Sequence, residues 1–200
     1  MKIADSFLAV VKRASADLDV ERIREDVRAF SLRHEDLPTR PRALRIVEAT
    51  ARKAAFVGAA ASVPTGWAAV PVMAPELATL VVLQGRMIVG VHLLYGGTLD
   101  SPEERALEIV AGLAAGAGLS AGRRLTVSLA EALATRLAAR ALGRQLVHFV
   151  PLAGIVASAA LNYGAVQSVG RAVVARAESR WGPPEVPGRG PVLEAEGQVA

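Results

Sequence analysis

Arg86 stands in VVLQGRMIVGVHLLYGG, residues 81–97, a run that is otherwise almost wholly apolar. A guanidinium in such a place can hold a carboxylate or a phosphate through its fork of N–H donors. Gln84 and Tyr95 in the same run belong to the same candidate contact for an anion, a lipid or a partner. Glu76 is the only other charge between residues 54 and 99. Ten positions on a helix turn it through about 1000°, which leaves Glu76 and Arg86 about 80° apart in azimuth and about 15 Å apart along the axis, too far to pair. Glu76 reads as a charge at a helix start. The partner of Arg86 stays open among helix-end carbonyls, a carboxylate such as Glu48 or Glu108, a lipid phosphate, and solvent.

A second possible anion contact is GAGLSAG, residues 116–122, followed by Arg123 and Arg124. Glycines before a helix start can cradle a phosphate. A dinucleotide fold, however, needs a strand before the glycines, and here a helix precedes them, so an interhelical loop is the stronger reading. The histidines His34, His92 and His148 fall on three different predicted helices without the spacing of a metal site. Tyr95 and Trp181 each precede a glycine at a helix end and read as end anchors rather than substrate platforms. The chain has no cysteine, which removes disulfides, thiolate metal sites and cysteine nucleophiles. It also lacks a Gly-x-Ser-x-Gly elbow, a Walker lysine and a His-Glu-x-x-His motif. No catalytic residue, metal or cofactor is therefore expected, and the chain reads as a non-enzyme.

The elements that must position these residues are helical. The chain is 52% hydrophobic with only 4% aromatic residues, an alanine-rich balance that favours close-packed helices over sheet. Helices are predicted over about 2–15, over 20–34 behind Asp19 as N-cap, and over 42–62 with Pro41 in the first turn. The prolines of VPTGWAAVPVMA, residues 63–74, predict a kinked or looped crossing. A helix from Pro75 to about Tyr95 stops at Gly96-Gly97. SPEE, residues 101–104, is a capping-box start, with its helix running to about 115. An amphipathic helix to about Leu142 and a last helix from Pro151 to Trp181 complete the count. The fold class is all-α: a single compact domain of about seven or eight helices, with N-terminal amphipathic helices over 1–40, a helical domain over 41–181 and a disordered tail over 182–200.

Charge is unevenly spread. Residues 54–75 and 145–170 carry none, and such runs must be buried in protein or in lipid. Both are long enough to span a bilayer, but prolines, alanine and glycine richness, and the polar residues Gln145, His148, Asn162 and Gln167 count against it. Gly112 and Gly116 predict a small-residue seam that serves either setting. The net charge of +4 comes with arginine bias and no dense basic stripe, so no nucleic-acid partner is expected. The apolar run after Met1 is too short and too charged for a signal peptide, which makes the cytoplasm the default compartment.

Four segments in order, ARKAAFVGAAASVPTG (51–66), APELATLVVLQGRMIVGVHLLYG (74–96), SPEERALEIVAGLAAG (101–116) and FVPLAGIVASAALNYGAVQSVGRAVVARAESRW (149–181), resemble the EcsC protein family. The resemblance covers about residues 40–181. It implies an α-helical bacterial protein associated with an ABC transporter operon and with secretion, and it brings no catalytic residues or cofactor. The expectation is a non-enzymatic accessory protein, cytoplasmic and peripheral to the membrane surface or to a membrane transport complex. The alternative is a soluble helical domain binding a hydrophobic ligand such as a fatty acyl chain.

Overall fold

The structure is a computed structural model, and it describes residues 3–61, 73–119, 132–133, 135–136 and 151–182. Six helices lie in these stretches: α1 (Ile3–Ala16), α2 (Val20–Arg33), α3 (Thr39–Ala61), α4 (Met73–Leu94), α5 (Pro102–Gly116) and α6 (Pro151–Trp181). There is no strand among the described residues. The crossing expected over 63–74 lies almost wholly outside them, as do most of the helix expected to end near Leu142 and the tail.

Local chemistry sets the helix ends. Asp19 caps α2 by accepting from the Arg22 amide at 3.0 Å, and Ser101 caps α5 by accepting from the Glu104 amide at 3.0 Å. Each satisfies an N–H that has no partner inside the helix. α4 ends where Gly96 takes a φ of 81°. Its amide donates to Leu93 O, and the Gly97 amide donates to His92 O, which is the paired arrangement of a Schellman stop. α5 ends in the same way, with Gly118 at a φ of 72° and Leu119 donating to Ala114 O. α3 begins at Thr39, ahead of the expected Pro41 start.

α4 is the hub. It packs against α1, α2, α3, α5 and α6, which explains why most of its sequence is free of charge; Val82 and Arg86 lie on its exposed side. Met87, Ile88, Val89 and Val91 are all 2% exposed or less. α3 and α6 form the most extensive helix pair among the described residues and run antiparallel, with Val47 against Gly170 and Gly58 against Ser158 and Asn162. Fully buried Ala43, Val47, Ala51 and Ala54 line the α3 side. Small residues bring the backbones close. A Cβ on Gly58 would lie 2.8 Å from Ser158 O, and one on Gly112 would lie 2.9 Å from Val173 Cγ2. Gly116 would meet Val169, and Ser168 Oγ donates to Gly116 O at 2.8 Å. The expected Gly112/Gly116 seam is therefore the contact of α5 with α6.

Candidate functional site

The candidate contact residues do not converge. Arg86 is 44% exposed and donates to Asp26 Oδ2 at 3.3 Å. The partner is a carboxylate of an amphipathic helix, but on α2 rather than Glu48 or Glu108. α2 crosses α4 at Gly90, where Ile23 and Val27 close over the glycine, and this brings Asp26 above Arg86. Gln84 points elsewhere and is 8% exposed, with no partner for its Oε1 among the described residues. Tyr95 reaches α6, donating to Glu178 Oε1 at 3.1 Å, while Arg40 pairs with Glu178 Oε2 at 3.3 Å. Burial, followed by the Glu178 charge, pushes the Tyr95 hydroxyl above its ordinary range. Arg123 and Arg124 lie outside the described residues.

Near Tyr95 the structure holds a buried polar cluster that sequence reasoning misses. Glu108 on α5 is 5% exposed in its side chain and accepts from Arg176 Nε at 3.1 Å and Arg180 Nη1 at 2.8 Å, both on α6. His92 on α4 brings Nε2 to 3.4 Å from Glu108 Oε2. Its Nδ1 lies 2.7 Å from the Ile88 carbonyl and must carry the proton there, because a carbonyl only accepts. At 3.4 Å the imidazole is the looser partner, and the guanidiniums hold the carboxylate more firmly. Burial pushes the Glu108 carboxyl up, but His92 and Arg176 more than reverse this and bring it down to about 2. Trp181 closes the cluster, edge-on to His92 at 5.1 Å and covered by Arg180 at 4.9 Å. His92 Nε2 is buried with no hydrogen-bond partner among the described residues, while Glu108, Arg176 and Arg180 engage one another, and the cluster clamps α4, α5 and α6 at one end. The sequence signal was faint: Arg176 and Arg180 sit one turn apart on α6, facing a single acid.

The opposite end of the α3–α6 pair is different. Beyond Lys53, α3 continues to Ala61 without a charge, and α6 carries none before Arg171. Phe56 is 75% exposed, Val156 70% and Leu161 51%. Above this apolar end sits a polar collar. Glu48 accepts from Arg52 Nε at 2.9 Å, from Tyr163 Oη at 2.7 Å and from Gln167 Nε2 at 2.5 Å. The Tyr163 hydrogen bond, followed by that of Arg52, holds the Glu48 carboxyl below the usual range, and the Tyr163 hydroxyl is raised in turn by Glu48. Glu48, Arg52 and Phe56 recur every fourth residue on α3. Val156, Tyr163 and Gln167 share the adjoining flank of α6. Polar groups thus grade into exposed apolar ones along both helices.

Among the described residues, no group of His, Asp or Glu is placed to hold a metal ion, and no helix is long and apolar enough to cross a membrane. No family model matches the chain, and neither does any curated protein or solved structure.

Proposed function

We propose that this chain is a non-enzymatic accessory protein that attaches reversibly to a membrane surface through the apolar end of α3 and α6. The observation that carries this reading is the exposure of Phe56, Val156 and Leu161 on a charge-free helix end. Single exposed apolar residues are ordinary, but three on one uncharged helix end support an interaction there. Transferring their exposed portions out of water contributes about 4 kcal/mol. That is less than a single myristoyl chain, whose attachment is itself reversible, and it fits a protein that visits the membrane rather than one fixed in it. The ordered motifs similar to the EcsC family support an accessory role beside a membrane transport or secretion complex.

Cell fractionation tests this reading. The expected result is a share of the protein in the membrane pellet at low salt, released by detergent and reduced by Phe56→Ser. Recovery of all the wild-type protein in the high-speed supernatant at low salt would sink it.

A further inference from the structure

The orphaned nitrogen of His92 has its cause within the same ring. Nδ1 lies 2.7 Å from the Ile88 carbonyl and holds the single proton of the neutral imidazole, which leaves a lone pair on Nε2. That lone pair faces Glu108 Oε2 at 3.4 Å, between side chains only 1% and 5% exposed. Two acceptors brought together away from water repel each other. A second proton on Nε2 turns the same contact into a charge-assisted N–H···O bond, and the ring need not change its orientation.

The charges on the surrounding helices leave this contact to the imidazole and the carboxylate. On α6, Arg176 and Arg180 also hold Glu108, but their side chains are 31% and 54% exposed, so solvent screens their repulsion of an imidazolium. Glu178, on the same helix, is shared by Tyr95 of α4 and Arg40 of α3. Arg105 of α5 donates to the carbonyls of Ser15, Leu99 and Asp100. α2 meets α4 through Ile23 and Val27, with Asp26 held by Arg86, and α1 turns Lys12, Arg13 and Asp17 to solvent. We infer that His92 is a proton-operated latch: a second proton on Nε2 makes it a donor to Glu108 Oε2 and draws α4 onto the carboxylate that α6 already grips. Because the bond exists only in the protonated ring, the clamp tightens as pH falls and slackens as pH rises.

The test is nuclear magnetic resonance of the isotope-labelled full chain from about pH 8 to about pH 5, across which histidine ordinarily takes up its second proton. The ring signals of His92 are assigned by their loss in His92→Asn. A neutral ring protonated at Nδ1 is expected at the upper end and a doubly protonated ring at the lower. Backbone amides over 177–181, in the last turn of α6, should then exchange with solvent more slowly at the lower end, once intrinsic rates are corrected for. One net hydrogen bond corresponds to roughly threefold to tenfold slower exchange. His92→Asn and, separately, Glu108→Gln should each abolish that gain, and either suffices should the other fail to fold. A ring still neutral at the lower end, a ring already doubly protonated at the upper end, or a ring that titrates without slowing exchange overturns the inference. So does an equal gain in a folded His92→Asn or Glu108→Gln protein.

Discussion

Glu108 is the residue on which the fold's polar interior turns. Its carboxylate answers two guanidiniums and faces an imidazole, and it is almost closed to solvent. Its pKa of about 2 lies below the ordinary 4.5, so the folded state binds the proton less readily than the unfolded chain does. The resulting stability is fully present above about pH 4.5 and is lost as pH falls toward about 2. Glu108→Gln should therefore cost about 2–3 kcal/mol at pH 7, below the range for a fully buried pair because Arg176 and Arg180 are partly exposed. The gap between variant and wild type should narrow as pH falls through that window, as measured by urea unfolding at several pH values. A gap that stays constant from pH 7 to pH 3 would show that the charge contributes nothing. Arg86 offers the contrast. Its pair with Asp26 is exposed on both sides, so Arg86→Met should change stability by less than about 1 kcal/mol. Neither pairing was legible in the chain. Asp26 and Arg86 are separated by 60 positions, and Glu108 and Arg176 by 68, so each depends on which helix faces the packing turns toward one another. The oddity of Arg86 could be read from sequence, but its partner could not.

At the scale of elements, what is local was readable. Asp19, Ser101 and Gly96 act on backbone groups within three residues of themselves, so their sequence signatures are sufficient. The small-residue seam was also foreseeable, although its partner helix was not. Inside a helix, glycine is needed where a neighbouring helix comes close, and two positions should respond with opposite sign. A Cβ at Gly116 would press on the backbone of Val169 as well as its side chain, which a rotamer change cannot relieve. Gly116→Ala should destabilise by about 1–3 kcal/mol. Gly164 lies within α6 with nothing within 4 Å of an added Cβ. Gly164→Ala should stabilise by about 0.5–1 kcal/mol, through helix propensity and a less flexible unfolded chain. Chemical denaturation of the two variants distinguishes these outcomes. A loss at Gly164 equal to that at Gly116 would mean that α6 is packed on a side the contacts do not show.

Across the whole molecule, the charge map proves to have two causes that sequence alone could not separate. Most of α4 lacks charge because five helices pack against it, whereas the α3–α6 end lacks charge while still exposing Phe56, Val156 and Leu161. Folding stability separates the two cases. Val47 is fully buried, and Val47→Ala removes two methyl groups from packed surroundings, which should cost about 2 kcal/mol. Phe56 is three-quarters exposed and gives little to the folded state, so Phe56→Ser should shift stability by no more than about 0.5 kcal/mol. Thermal melts of both variants in the absence of lipid make the comparison. A Phe56→Ser loss as large as that of Val47→Ala would mean that the ring is core material, covered in solution by protein. If Phe56 is neutral for folding and Val47 is not, the apolar end is surface kept for something outside the fold.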